Sequence, residues 1–178
     1  ILELARGEWE SILLNAIFTE PDDQTPWWYH RFIVSWIKPL SNSKNNEINN
    51  NSDGNDDDDI VEDEMLQECK TLLYEMADSL RELLEVEKEN DVLLPPEGND
   101  ENINNEDESK GAKCKWAYIG LHLVLSTILE LFTSRVEDES VVDLRMEGKD
   151  CLMELMRIDP NRKERYQNLV ADIERDKN

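Results

Sequence analysis

The run Glu20-Pro21-Asp22-Asp23-Gln24-Thr25-Pro26-Trp27-Trp28-Tyr29-His30-Arg31 compresses a helix stop, an acidic turn, a helix start and a dense aromatic face into twelve residues. Proline lacks an amide proton and clashes with the preceding turn, so a helix over 1–18 is expected to end before Pro21. Thr25 reads as an N-cap whose hydroxyl accepts an orphan backbone N–H. Pro26 suits the first helical position, where its fixed φ helps and its missing N–H costs nothing. A second helix is therefore expected over 26–38, opening on Trp27 and Trp28, carrying Arg31 one turn after Trp28, and stopping near Pro39. Two helices joined by a short Pro/Asp turn make an αα-hairpin.

The same logic extends along the chain. In the first helix the expected inner face is Leu2, Trp9, Ile12, Leu13, Ala16 and Ile17. Residues 41–60 are mostly Asn, Asp and Ser with little to bury, which predicts disorder. Leu66, Cys69, Leu72, Leu73, Met76, Leu80, Leu83 and Leu84 recur at helical spacing and predict a long helix over 61–89. A second polar insert covers 95–112, opened by Pro95-Pro96. The segment 113–134 is apolar on nearly every side, which predicts a central helix. Further helices are expected over 138–157 and, after Asp159-Pro160-Asn161, over 161–175 with Tyr166, Leu169, Val170 and Ile173 turned inward. No segment alternates as a strand does, so the fold class is all-α. Because a helix, an acidic or Pro-containing turn and an aromatic-led helix recur, the expected architecture is antiparallel hairpins stacked as an α-α superhelix.

The formal net charge is −23, which argues against nucleic acid as a partner because phosphate binding needs a basic face. Residues 41–64 hold nine acids against one lysine and residues 97–110 six against one, so these stretches carry more than half of that excess. They read as solvated spacers, with docking of a basic partner as the alternative. Cys69, Cys114 and Cys151 are odd in number and widely spaced within apolar helical contexts, as expected of reduced thiols in a cytoplasmic protein. The apolar stretch Trp116 to Leu125 is too short to span a bilayer, and no secretory leader is visible. The chain opens at Ile1 already inside a helical pattern, as the C-terminal piece of a longer polypeptide would.

Trp28, Tyr29, His30 and Arg31 are the candidate site residues. In the simpler reading, aromatics from this stretch fill the groove to the next hairpin and Arg31 pairs with a nearby acid. In the other, His30 or Tyr29 reaches a substrate or a partner chain, with the planar arginine fork suited to a carboxylate. His30 and His122 are the only histidines and neither has a cysteine close by, so a zinc site made from this chain is not expected. A calcium loop over 49–60 fails because its twelfth position is Ile60. There is no phosphate-binding glycine loop and no nucleophile elbow, and no catalytic residue is assigned.

The stretch Trp28-Tyr29-His30-Arg31-Phe32-Ile33-Val34-Ser35-Trp36 resembles the repeat of protein prenyltransferase alpha subunits. Asn15-Ala16-Ile17-Phe18-Thr19-Glu20-Pro21-Asp22-Asp23-Gln24 leading into it is similar, more narrowly, to the last repeat of Rab geranylgeranyltransferase (type II) alpha subunits. The resemblance is strong over 1–40, weaker over 61–175 and absent from the two inserts. It implies that 1–40 is the last repeat hairpin and that 61–178 forms the closing helices of the same domain. It implies a subunit of a transferase whose beta-subunit partner carries the zinc and the geranylgeranyl diphosphate pocket. That heterodimer prenylates C-terminal cysteines of a Rab GTPase held by an escort protein. The family's Asn-Tyr pair before the repeat Trp falls here on Gln24 and Thr25, so the resemblance transfers no catalytic residue and leaves Trp28, Tyr29, His30 and Arg31 as a possible subunit interface. Two alternatives stay open: the alpha subunit of farnesyltransferase and type I geranylgeranyltransferase, and a non-enzymatic helical-repeat scaffold.

Overall fold

The apolar stripe of the first segment folds into one nearly continuous helical rod: α1 (Leu2–Glu8), a π-helical turn (Trp9–Leu13) and α2 (Leu14–Thr19). The computed structural model describes residues 1–41, 56–93, 115–132 and 139–175. The π turn corrects the expected inner face. An i→i+5 turn is wider than an α turn, so Trp9, Leu13 and Ile17, four residues apart each time, fall in line and are all buried. Ile12 is swung outward and is 56% exposed, and Ala5 takes an inner place instead.

Glu20 to Asp23 form the turn, closed by the Asp23 N–H on the Glu20 carbonyl at 3.1 Å. The next helix, α3, spans Gln24–Ser41. Its cap is Asp23 rather than Thr25: Asp23 Oδ1 accepts the Thr25 N–H at 2.9 Å. A carboxylate at that position satisfies an orphan donor and also meets the positive end of the helix dipole. Nor does the helix stop at Pro39. The proline sits in the last turn, where it removes one ladder bond without ending the helix.

The long helix α4 spans Asp56–Leu93, so the expected boundary at 61 moves back and residues 56–60 are helical rather than disordered. Ser41 closes α3, and residues 42–55 of the first insert and the whole of the second lie outside the described residues. Cys69, Leu72, Leu73, Met76, Leu80, Leu83 and Leu84 are buried along α4, as their spacing requires, while Leu66 is half-buried. Helix α5 (Lys115–Phe132) is the hub, packing against α3, α4 and α6. It is long and apolar enough, by length and composition, to cross a membrane, but its Leu121, Val124, Leu125 and Ile128 are core residues. Helix α6 (Glu139–Ile158), a 3-10 turn (Pro160–Arg162) and α7 (Lys163–Arg175) follow. Tyr166 is buried, and Leu169, Val170 and Ile173 pack half-buried against the core.

All described secondary structure is helical. Polar clips at the surface join neighbouring helices: Arg6 with Glu75 between α1 and α4, Lys38 with Glu130 between α3 and α5, and Lys149 with Glu174 between α6 and α7. Each such exposed pair contributes less than about 1 kcal/mol. The apolar interior dominates, with Cys69 and Cys151 buried in it as free thiols. Burial pushes the Cys151 thiol up to about 12, which keeps it protonated and unreactive at neutral pH.

Candidate partner-binding groove

The hairpin folds back on itself through the residues that open α3. Trp27 Nε1 donates to the Pro21 carbonyl at 2.9 Å, pinning the indole over the turn. The ring is 5% exposed and packs on Gly120 of α5. One turn later His30 is fully buried between two indoles, its centroid 5.6 Å from that of Trp9 and 6.0 Å from that of Trp27. Its Nε2 has no hydrogen-bond partner among the described residues. Burial lowers its pKa to about 4, so the ring is neutral at physiological pH. Tyr29 is half-buried and donates its hydroxyl to Glu8 Oε2 at 2.8 Å. That hydrogen bond raises the phenol's pKa.

Trp28 and Arg31 behave differently. Trp28 is 60% exposed, and Arg31 is exposed with no ion pair among the described residues. The expected pairing of Arg31 with a nearby acid is therefore not found. The four candidate residues do not share a face: His30 points into the core, out of reach of any substrate or partner, Tyr29 is tied to α1, and Trp28 and Arg31 are outward. The aromatics that fill the space between helices are Trp27 and Trp9, while the exposed Phe32 meets Trp36 edge-on at 4.7 Å further along α3.

Trp28 and Arg31 line one wall of a groove of about 610 Å³ between α3, α5, α6 and α7. Its floor is Trp116, Ile119, Gly120 and Leu123 of α5, with Leu152 and Leu155 of α6. Arg162, closing the 3-10 turn, and Arg165, in the first turn of α7, line another wall. Arg162 lies 3.9 Å from Asp159, while Arg165, like Arg31, has no ion pair among the described residues. Among the described residues, no aspartate or glutamate lines this groove. Two other grooves differ: one is bordered by Glu85, Glu147, Asp150 and Glu154, the other by Glu130 and Asp172.

The groove holds little that could do chemistry. His122 and Ser126 border it, with Nε2 and Oγ 3.5 Å apart. The serine hydroxyl, however, is within 2.7 Å of the His122 carbonyl and donates there, so the imidazole does not take its proton. Burial also lowers the His122 pKa. Among the described residues, no three His, Cys, Asp or Glu side chains come together as metal ligands. The arrangement is suited to binding.

Sequence reading missed Arg162, Arg165 and Gly120. The glycine carried a signal, as the one residue without a side chain in the most apolar segment. The arginines did not, because only the packing of α7 on α6 brings them into the same groove as Arg31. No protein-family model, no curated protein and no solved structure matches this chain.

Proposed function

We propose that this chain is part of the alpha subunit of a Rab geranylgeranyltransferase. In this reading it is an all-helical repeat subunit that supports catalysis by a beta subunit and carries no complete active site. The observation that carries the reading is the hairpin itself. The stretch Trp27 to Arg31, whose pattern resembles the prenyltransferase alpha repeat, closes an acidic Pro turn through Trp27 and sinks His30 into the preceding helix. The same register leaves Trp28 and Arg31 at the surface, available to a second polypeptide. Hairpins of this kind stack into a curved α-α array, because one alone cannot cover its apolar face.

In this reading the beta subunit supplies the zinc and the isoprenoid pocket, an escort protein presents the Rab GTPase, and the complex works in the cytoplasm. The contribution of this chain is shape and surface. The test is to express the full-length polypeptide with a beta subunit and follow transfer of labelled geranylgeranyl from its diphosphate to a Rab–escort complex. Transfer that requires both subunits is expected. No transfer with both subunits folded overturns the proposal, and prenylation of a short C-terminal peptide without escort protein moves it to the farnesyl and type I enzymes.

A further inference from the structure

We propose that the acid-free groove between α3, α5 and α7 docks an acidic segment of a partner protein, one carrying an aromatic or aliphatic anchor. Two observations converge on it. The first is charge. In a chain of net charge −23, no acid among the described residues lines this groove, while Arg31, Arg162 and Arg165 stand on its two walls. Arg31 and Arg165 lack ion pairs among the described residues, so their guanidinium forks are available for bidentate capture of carboxylates. The other two grooves mix acids with Arg81, Lys88 or Arg145 and suit such a segment less well.

The second observation is the apolar content. Trp116 and Ile119 form a floor for a side-chain anchor. Trp28 on the wall is 60% exposed, and Phe32, 51% exposed, extends the apolar surface one turn along α3 beyond it. Aromatic and arginine residues together are the composition of binding hot spots.

A strip of exposed rings running out of a groove suits a polypeptide better than a single acyl chain. Membrane recognition by charge takes clusters of four to eight basic residues, and a chain this acidic is repelled by an anionic bilayer. The same excess charge disfavours a second copy of this chain as the occupant. The inference needs only a partner with an acidic segment, whatever that partner's activity, so it stands apart from the prenyltransferase reading.

The test is selection of short random displayed peptides on the whole chain, followed by fluorescence anisotropy of the enriched peptides after labelling. Enriched peptides are expected to place Asp or Glu on both sides of Trp, Phe or Leu. Their affinity is expected to fall at least about tenfold for R31E/R165E, through loss of two charge-assisted contacts. The control R157E/R175E makes the same change in net charge away from the groove and leaves affinity within about twofold. Circular dichroism melting of the double variants verifies that both fold. Enrichment of basic or uncharged peptides overturns the proposal, as does equal binding to R31E/R165E. So does Arg31- and Arg165-dependent binding of phosphatidylserine vesicles in place of peptides, or a dimer in light scattering that R31E/R165E dissociates.

Discussion

Gly120 lies so close to Trp27 that a β-carbon at position 120 would stand 2.7 Å from Cζ3 of the indole and 3.1 Å from Cε3. The indole cannot swing away cheaply, because its Nε1 is held by the Pro21 carbonyl and its other neighbour is the His30 ring. The close approach of α3 to α5 therefore depends on the missing side chain.

Gly120→Ala sets two effects against each other. Alanine is favoured over glycine in a helix by about 1 kcal/mol. Forcing a methyl into a packed contact costs about 1–3 kcal/mol or more, and here the obstructing atoms belong to an anchored ring. A net loss of about 1–2 kcal/mol is expected in urea unfolding. Gly7→Ala is the control: a β-carbon there would meet nothing within 4 Å, so the helical gain stands alone and stability rises by up to about 1 kcal/mol. Equal shifts in the two variants would show that the α3–α5 contact is not tight.

The adjacent tryptophans are expected to differ sharply. Trp27→Ala empties a buried site between two helices and should cost about 3–5 kcal/mol. Trp28 is the residue that the repeat resemblance singles out, and a buried ring there would cost as much. At 60% exposure it does not, and Trp28→Ala is expected to change stability by less than about 1 kcal/mol. Thermal melts of the two variants decide this, and a large loss at Trp28 would mean that its ring is covered.

The contrast between Trp27 and Trp28 marks where sequence reading ran out. Helical spacing along α4 identified its buried stripe because one helix face must be apolar whatever it packs against. Proline and acids located the 20–23 turn for equally local reasons. Which of two consecutive indoles is buried depends on the rotation of α3 against α1 and α5, and that is set by Gly120 and the Pro21 carbonyl. The exposure of Ile12 follows from a π turn that α periodicity does not contain. Asp23 displaced Thr25 as the cap because the helix begins two residues earlier than Pro26 suggested. The arginine side of the groove is a tertiary feature and left no mark in local pattern.

His30 gives a pH signature. Its folded pKa is about 4, against an ordinary 6.5, because burial disfavours the charged ring. Between those values the unfolded chain holds a proton that the folded chain does not. Stability therefore falls as pH drops from 6.5 toward 4, by on the order of 3 kcal/mol over the whole window. His30→Phe removes this group and also an unpartnered nitrogen, at little cost near neutrality. Denaturation of both proteins at about pH 7 and about pH 4.5 isolates the imidazole, since the carboxylates titrate in each. Parallel pH profiles would assign the acid sensitivity elsewhere.

Tyr166 and Asp159 tie α7 to the end of α6. The phenol donates to Asp159 Oδ2 at 2.9 Å, and Lys115 Nζ stands 3.2 Å from the same oxygen. Tyr166→Phe leaves the buried carboxylate with one partner fewer and should cost about 1–2 kcal/mol. Burial and the neighbouring carboxylate push the phenol up to about 12 from an ordinary 10. Between these values the folded chain holds the extra proton, so this contribution is lost as pH rises from 10 to 12. The Phe variant is expected to lose stability less steeply in that range, and an identical alkaline slope in both proteins would rule out the phenol as its source.

Arg81 and Glu147 join α4 to α6 by a two-bond fork, Nε to Oε1 and Nη2 to Oε2, each 2.6 Å. The hydrogen bonds to Glu147 raise the arginine's already high pKa, so its charge is constant across any accessible pH. Both side chains are 31% exposed, which screens the pair relative to a fully buried one. Its fork engages both carboxylate oxygens, whereas Arg157 places two N–H groups on one oxygen of Glu154, and lysine cannot reproduce that geometry. A double-mutant cycle with Arg81→Met and Glu147→Gln is expected to give a coupling of about 1 kcal/mol, above the usual exposed pair. Arg81→Lys should recover less than half of it, because one point charge replaces two parallel hydrogen bonds. Additive single-variant losses, or full recovery by lysine, would mean that charge alone, without the fork, holds α4 to α6 at this point.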